Sequence, residues 1–236
     1  MNYYFLLEDE KSFLKVLPKW LNHMDFKCER VADIKSVQNS NYVLQSGQGV
    51  TQLITKVLFD TIDTIICNPG TIDKLVVILD AEDECAEDRR RQVYSKIEEK
   101  YELNQLAVEI KVFVCNRCFE TWLLGCEGVY PQEEVDSKSF FYPFYCHYDV
   151  SQNDPEGMSV PQECDDTVGR YHFHYLHEML RYQKMRYSKN RPDVVAECTY
   201  FTGLMKRIHS TDHIKSFKEF VEFVENEKQI NACGKG

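Results

Sequence analysis

The chain has 236 residues, 43% hydrophobic and 13% aromatic, enough to bury a core in one α/β domain with an appendage or in two small domains. Its formal net charge of −10 argues against a protein that grips nucleic acid over a broad surface, because such binding depends on Lys and Arg neutralising phosphates. No stretch approaches the roughly 20 apolar residues of a membrane-spanning helix, and the first residues lack the basic start of an export signal. We therefore expect a cytoplasmic protein with no membrane partner and with reduced cysteines.

Short apolar runs alternate with helical patterns over the first part of the chain. In chain order the predicted elements are a strand at 2–7, a helix at 9–24, a strand at 26–32, a polar loop at 36–49, a helix at 50–67, a strand at 74–79, a helix at 86–100, a strand at 107–114 and a short helix at 119–125. The run KLVVIL is the strongest strand pattern and is typical of a strand buried on both faces. This alternation predicts an α/β fold with a mostly parallel sheet and helices on both faces.

The rest of the chain differs in composition. Residues 128–169 are rich in aromatic residues, Pro, Asp and Gln, which favours an irregular insertion or lid. Helical spacing returns at 170–185, 192–208 and 214–228. We therefore predict three parts: an α/β core at 1–127, the insertion at 128–169, and a helical C-terminal region at 170–236 that packs on the core.

Acidic residues follow two of the predicted strands directly. Glu8 comes after the first strand, and Asp80 and Glu82 come after the KLVVIL strand. In parallel sheets the functional crevice lies at the carboxyl ends of the strands, so these side chains should face a common space. Several carboxylates together repel one another unless a divalent cation lies between them, and hard oxygen ligands suit Mg²⁺ or Mn²⁺. Their neighbours Glu10, Asp83 and Glu84 are expected to be acids that favour helix N-termini.

The segments LLEDEKSFLKVLPKWL and VVILDAEDE together resemble the Toprim pattern, in which a glutamate follows the first strand and an Asp-x-Asp-type motif follows a later strand. More closely, the chain is similar to the small Toprim-like nucleases grouped with the OLD and RloB families of phage-defence and mobile-element proteins. Further segments that fit this resemblance are SGQGVTQL, CNRCFETWLLG, YSKNRPDVVAE and FKEFVEFVE. The resemblance covers nearly the whole chain through short motifs in a common order.

This resemblance implies a Mg²⁺- or Mn²⁺-dependent nuclease that hydrolyses the phosphodiester bonds of DNA or RNA. Glu8 takes the place of the Toprim glutamate, a metal ligand or general acid/base, while Asp80 and Glu82 take the place of the metal-binding pair. Glu120 matches an acid of the fourth-strand segment, and Lys189 matches a lysine near the scissile phosphate. It also implies an effector subunit of a defence system beside an ABC- or SMC-like ATPase, with homo-oligomerisation possible.

Two positions depart from the family pattern and leave alternatives open. Glu82 is a glutamate in place of an aspartate, and Ser12 stands where OLD proteins often carry another acid. The second departure bears on whether two metals bind. One alternative is therefore a catalytically degenerate interaction module of an ATPase complex. The other is a phosphoryl-transfer or phosphatase domain, although receiver domains are about half this length.

Other motifs predict structure more than chemistry. Cys115 and Cys118 have the spacing of half a zinc site, but no second ligand pair follows, so we expect core or loop thiols. Gly47 and Gly49 are not followed by the Gly-Lys-Ser/Thr of a nucleotide-binding loop. We expect aromatic packing for three nearby histidines: His172, His174 and His177. We expect a solvated helix face for three consecutive arginines, with contact to a phosphate backbone as the alternative: Arg89, Arg90 and Arg91.

Overall fold

A five-stranded, entirely parallel sheet forms the centre of the protein. The structure is a computed structural model that describes the backbone of residues 1–233 and the side chains of residues 1–230. The order of the strands across the sheet is β2-β3-β1-β4-β5. Their bounds are β1 Tyr3–Leu7, β2 Glu29–Val31, β3 Asn41–Ser46, β4 Lys74–Asp80 and β5 Glu109–Cys115. The predicted α/β class with a parallel sheet is therefore confirmed.

Helices cover both faces of this sheet. They are α1 Phe13–His23, α2 Val50–Gln52, α3 Leu58–Ile66, α4 Ala86–Glu98, α5 Phe119–Leu123, α6 Tyr142–His147, α7 Val168–Tyr182, α8 Cys198–Ser210 and α9 Lys215–Cys233. A π-helical turn at Leu53–Val57 joins α2 to α3, so the helix predicted at 50–67 is one continuous element. No helix in residues 1–233 combines the length and the apolar character that crossing a membrane requires.

The alternation of side chains along the central strands builds two separate cores. In β4, Val76 and Ile78 face the core beneath α1, α5, α7, α8 and α9, whereas Val77 and Leu79 face the core beneath α2, α3 and α4. Successive residues of a strand point to opposite faces, and a strand covered on both faces is apolar throughout. This explains why KLVVIL reads as an uninterrupted apolar run.

The C-terminal helices belong to the first of these cores. Tyr175 of α7, Leu204 of α8 and Phe217 of α9 are buried in the same cluster as the β1 side chain Phe5. The predicted insertion also contributes to it, through buried side chains that include Phe141, Val150 and Met158. Helix α9 reaches Cys233, beyond the predicted end at 228, and residues 234–236 of the predicted C-terminal region lie outside the described residues.

The loop predicted at 36–49 is wrong, because β3 lies within it at Asn41–Ser46. The strand was missed because only Tyr42, Val43 and Leu44 are apolar there, and a polar residue begins it. Asn41 is nevertheless buried, with its backbone N–H donating to Asn2 Oδ1 at 3.0 Å and its own Oδ1 accepting from the Gln38 N–H at 2.8 Å. A buried polar side chain is tolerated when it is paired in this way.

Two helices begin later than the sequence predicts. Helix α1 starts at Phe13 instead of residue 9, because the Asp9 carboxylate accepts the Phe13 backbone N–H at 3.2 Å and caps the first turn from outside. The segment predicted to be helical at 192–208 starts with a single 3₁₀ turn at Asp193–Ala196, and α8 begins at Cys198.

Candidate metal centre

Glu8, Asp80 and Glu82 come together at the carboxyl edge of the sheet. Strands β1 and β4 are parallel neighbours paired from Tyr3 opposite Lys74 to Leu7 opposite Ile78, so both strands end at the same edge. The Glu8 backbone N–H donates to the Ile78 carbonyl at 2.9 Å, which extends this pairing to the acid itself. One carboxylate oxygen from each acid lies within 4.8 Å of the others, although some seventy positions separate Glu8 from the other two.

The sheet topology explains why the space above these strands is open to side chains. Strands β1 and β4 are neighbours, but the chain leaves β1 toward β2 on one side of the sheet and leaves β4 toward β5 on the other. The carboxyl ends of strands at such a change of direction border a crevice in open α/β sheets. The three acids therefore occupy the position that this class of fold makes available for ligands.

The carboxylates share a poorly hydrated space. Burial raises the pKa of Asp80 well above its ordinary value, and the nearby negative charge of Glu8 raises it further. Burial also raises the pKa of Glu8, against the opposing effect of the Asp80 backbone N–H, which donates to Glu8 Oε2 at 2.8 Å. Without a cation, ionising this cluster costs free energy that a positive charge between the oxygens would offset.

Unusual backbone conformations hold the loops around the cluster. Glu82 and Arg117 have φ angles of 57° and 85°, in the left-handed region that side-chain-bearing residues rarely adopt. The two are joined directly, because the Glu82 N–H donates to the Arg117 carbonyl at 2.7 Å. Gln48, across the depression, also has a positive φ of 60°. Such conformations cost about 1–3 kcal/mol each and tend to gather at functional sites, where surrounding structure enforces them.

Glu120 and Lys189 form a second, linked pair beside the cluster. The Glu120 side chain is only 1% exposed, and its Oε1 accepts the Tyr187 hydroxyl at 3.1 Å. Lys189 Nζ lies 3.5 Å from the same oxygen, with its side chain 45% exposed. Burial lowers the pKa of Lys189, but the negative charges of Glu120 and Asp80 outweigh it, so the pKa is raised overall. Lys189 therefore carries its positive charge at neutral pH.

Two adjoining depressions meet at Asp80, Glu82 and Lys189, which line both. The first, of about 250 Å³, we call the Phe173 depression; it is bounded further by Thr167, Gly169, Arg170 and Phe173 of the α7 segment. The second, of about 270 Å³, we call the Glu8 depression; it is bounded further by Glu8, Asp9, Glu10, Lys11, Gln48 and Gly49. All five residues that the sequence singled out thus lie around one connected space.

Sequence reasoning missed two side chains of this space, Arg170 and Phe173, and the buried Tyr187 behind it. Tyr187 lies only two residues before Lys189, in a segment that fits the family resemblance, but the sequence did not predict its hydrogen bond to Glu120. Arg170 and Phe173 sit in an ordinary helical pattern, and nothing in that pattern distinguishes them from core or surface residues. Ser12, the departure from the family pattern, is fully buried and its Oγ donates to Asp9 Oδ2 at 2.7 Å.

The cysteine and histidine motifs do not form a metal site in the part of the chain that the structure describes, where the only qualifying cluster is the acidic one. His172 Nδ1 lies 2.7 Å from Thr121 Oγ1, and its Nε2 lies 3.1 Å from the Met158 carbonyl. Burial lowers the pKa of His172 to about 4, so its ring is neutral at pH 7. Cys115 and Cys118 are buried free thiols.

The three consecutive arginines of α4 form ion pairs within the protein. Arg89 is buried, and its guanidinium lies 3.3 Å from Glu84; the prediction of a solvated position is therefore wrong for this residue. Arg90 pairs with Glu219 of α9 at 2.7 Å, and the exposed Arg91 pairs with Asp88 of its own helix.

A larger and mostly apolar depression of about 460 Å³ lies at the opposite edge of the sheet, lined in part by Ile65, Ile66, Ile72 and Leu106. It contains no cluster of carboxylates comparable to the one described above. Convergent groups with perturbed pKa values mark a functional site better than volume does, so the acidic edge is the stronger candidate.

Compared with protein-family models, with curated proteins and with solved structures, the chain gives no match in any of the three.

Proposed function

We propose that this protein is a metal-dependent nuclease that hydrolyses phosphodiester bonds in DNA or RNA. The observation that carries the proposal is the convergence of Glu8, Asp80 and Glu82 at the carboxyl edge, with one oxygen of each within 4.8 Å of the others. The Toprim-like order of motifs in the sequence supports the same reaction. A cationic side chain, Lys189, borders the same space and supplies a contact for a phosphate.

The donor set fits Mg²⁺ or Mn²⁺. Three carboxylate oxygens are hard ligands, which these ions prefer, and the buried thiols nearby lie outside the cluster. Burial raises the pKa values of Glu8 and Asp80, and neighbouring negative charges raise them further, which supports a site that favours a cation. A divalent cation would bind to Glu8, Asp80 and Glu82 and relieve that repulsion.

The cation, Lys189 and the Glu120–Tyr187 pair have different roles in the proposed reaction. A bound divalent cation supplies Lewis-acid polarisation of the phosphate and lowers the pKa of coordinated water. Lys189 presents its charged ammonium to the phosphate, where it stabilises negative charge that develops as the bond breaks. Glu120 accepts the Tyr187 hydroxyl and lies against Lys189, so this pair positions the ammonium at the wall of the depression.

A partner ATPase and a role in defence stay predictions from the sequence resemblance. The net charge of −10 supports a division of labour in which another subunit grips the nucleic acid and this chain cuts it. The competing non-catalytic module predicts a bound partner without metal-dependent cleavage, so a cleavage assay distinguishes the two.

The test measures cleavage and metal binding on the same purified full chain. Labelled DNA and RNA strands and supercoiled plasmid are incubated with Mn²⁺ or Mg²⁺, and Mn²⁺ binding is measured by isothermal titration calorimetry. We expect Asp80→Asn and Glu8→Gln to abolish both cleavage and Mn²⁺ binding, whereas Lys189→Met abolishes cleavage and retains Mn²⁺ binding.

The matched control is Glu222→Gln, which removes an exposed acid of α9 that lines neither depression. It should behave as the unchanged protein in both measurements. Cleavage that survives Asp80→Asn and Glu8→Gln would overturn the proposal, as would the absence of metal-dependent cleavage from every substrate.

A further inference from the structure

The wall of the Phe173 depression differs from the acidic floor that it shares with the proposed metal site. Helix α7 presents Arg170 and Phe173 three residues apart, on one face of the helix, and both border the depression beside Lys189. The depression therefore combines two cationic side chains with a partly exposed aromatic ring. None of these three belongs to the carboxylate cluster, and the metal does not require them.

We propose that the Phe173 depression binds one unpaired nucleotide of the substrate strand, with its base against the Phe173 ring and its phosphate at Lys189. The inference rests on the proposed nuclease function for the identity of that phosphate as the one that is cut. It adds the substrate class, a single strand or an unpaired end, and the direction from which the strand enters.

Charge distinguishes the two depressions as routes for a polyanion. The Glu8 depression adds three acids, Glu8, Asp9 and Glu10, to the shared floor, with Lys11 as its added cation. The Phe173 depression adds Arg170, and its added acid Glu120 is already paired with Lys189. The Phe173 depression is therefore the less negative of the two, so it repels the phosphates of an approaching strand less than the Glu8 depression does.

The positions of Lys189 and Phe173 match the parts of one nucleotide. Lys189 Nζ lies over the Phe173 ring, 5.7 Å from its centre, so a phosphate at the ammonium lies on the side of the ring from which the attached base would stack. Aromatic side chains beside a cationic groove are the common means of binding single strands, because every base has a face that can stack.

Arg170 extends this cationic path toward solvent. Its side chain is 68% exposed, and its Nε lies 3.0 Å from Asp166 Oδ1. A guanidinium has five N–H donors, so this ion pair orients the group and leaves donors for a neighbouring phosphate. Arg170 would therefore contact the phosphate that follows the one at Lys189.

The proposed contact with the Phe173 ring favours a single strand over a duplex. In a duplex each base is paired and stacked inside the helix, so it cannot lie against the ring until it is unpaired or flipped out. A duplex would have to expose an unpaired end or an extruded base to reach the acids.

Gly169 offers a way to narrow this depression without disturbing the fold. A Cβ at this position would lie 3.7 Å from Cys118 Cβ and 4.0 Å from Glu82 Oε2, which are ordinary contact distances. Alanine is also favoured over glycine within a helix, and Gly169 is the second residue of α7. Gly169→Ala should therefore fold at least as well as the unchanged chain while reducing the space for a nucleotide.

The experiment measures binding without turnover. Fluorescein-labelled oligothymidylate, oligouridylate and a DNA duplex of equal length are titrated with full-length Asp80→Asn protein, and Kd is read from fluorescence anisotropy. We expect the single strands to bind more tightly than the duplex. Adding Phe173→Ala should raise Kd for the strands about tenfold or more, whereas Phe173→Tyr retains binding, since stacking on the ring carries the affinity.

Three further variants sharpen the result. Gly169→Ala should raise Kd several-fold with an unchanged urea midpoint, and Arg170→Gln should reduce the slope of log K against log salt by about 1. Glu222→Gln should change neither quantity. The ratio of the two single-strand Kd values identifies the preferred sugar.

A Kd that Phe173→Ala leaves unchanged, equal affinity for the duplex, or no detectable binding of any strand would each overturn the inference. The nuclease proposal fails separately, through the cleavage assay with the unchanged chain. Cleavage that Phe173→Ala and Gly169→Ala do not affect would leave the nuclease standing and remove this subsite. Strand binding that depends on Phe173, without any cleavage, would support the subsite and overturn the nuclease proposal.

Discussion

Strands β1 and β4 carry buried or half-buried polar groups at both of their ends, and the two edges of the sheet differ in how those groups are paired. At the amino edge, Lys74 Nζ lies 2.7 Å from Glu227 and 2.8 Å from Glu109, and the Tyr3 hydroxyl donates to Glu227 at 2.8 Å. Lys74, Glu109 and Glu227 each therefore have a partner of opposite charge.

At the carboxyl edge, about five residues further along the same two strands, like charges face one another. Burial and mutual repulsion raise the pKa values of Glu8 and Asp80. Lys189 contacts Glu120 and not the cluster itself. The comparison indicates that charges at the amino edge are paired for stability, whereas the carboxyl edge gives up stability, as the proposed cation site would require. Functional sites are where such local conflicts are expected.

The largest effect should come from breaking the paired edge. Glu227→Ala leaves Lys74, whose side chain is 12% exposed, with Glu109 alone, and leaves the Tyr3 hydroxyl without this acceptor. Removing one partner of a buried ion pair typically costs about 3 kcal/mol or more. We expect the free energy of unfolding to fall by about 3 kcal/mol, measured by urea denaturation followed by far-UV circular dichroism.

Glu222→Ala is the control for this change, because it shortens an exposed glutamate on the same helix. Its effect should stay below about 0.5 kcal/mol, the usual range for surface substitutions. Equal effects of the two variants would show that the buried pairs do not hold α9 to the sheet.

The same kind of change at the acidic edge should have the opposite sign. Without metal at pH 8, Asp80→Asn removes an acid whose pKa is raised by burial and by the charge of Glu8, so it should raise the free energy of unfolding. Adding Mn²⁺ should stabilise the unchanged protein and leave Asp80→Asn unaffected. Urea midpoints with and without the ion measure both effects.

The pH dependence gives an independent check on the sign. Because the pKa of Asp80 is higher in the folded state than its ordinary value of 3.8, the destabilisation is complete above the folded pKa and disappears as pH falls toward 3.8. The gap between Asp80→Asn and the unchanged chain should therefore close between pH 8 and pH 4. The contribution of His172 to the free energy of unfolding falls as pH decreases from 6.5 to about 4, but this happens in both proteins and cancels in the difference. A gap that widens on acidification would contradict the assignment.

The sequence predicted the acidic carboxyl edge of the sheet but not the paired amino edge. The acids of the carboxyl edge could be predicted because Asp80 ends an unmistakable apolar strand and Glu8 ends another, and parallel strands finish at one edge. The amino edge was not predicted at all, since Glu227 meets Lys74 only after α9 packs across the sheet. Contacts between residues so distant in sequence depend on tertiary packing that local patterns do not encode.

The same reason separates the parts of the candidate site. Glu120 and Lys189 entered through the family resemblance, whereas Phe173 and Arg170 had no sequence signal. Strand β3 was missed because its burial depends on pairing between β1 and β2 more than on its own apolar content. Local pattern thus predicted the layers and the acids, while the position of α7 over the sheet had to come from the structure.

The smallest expected effect concerns the hydrogen bond between Tyr187 and Glu120, beside the acidic cluster. Tyr187→Phe removes only the hydroxyl that donates to Glu120, and it keeps the buried ring. We expect a loss of about 1 kcal/mol of stability, the net value of a typical hydrogen bond, together with several-fold slower cleavage. The rate should fall because Glu120 then holds Lys189 less firmly, while Mn²⁺ binding to the carboxylate cluster stays unchanged. Kinetics of strand cleavage, urea midpoints and calorimetry on the same preparation separate these quantities. If Mn²⁺ affinity fell along with the rate, the Glu120–Lys189 pair would belong to the metal centre and would not be separate from the carboxylate cluster.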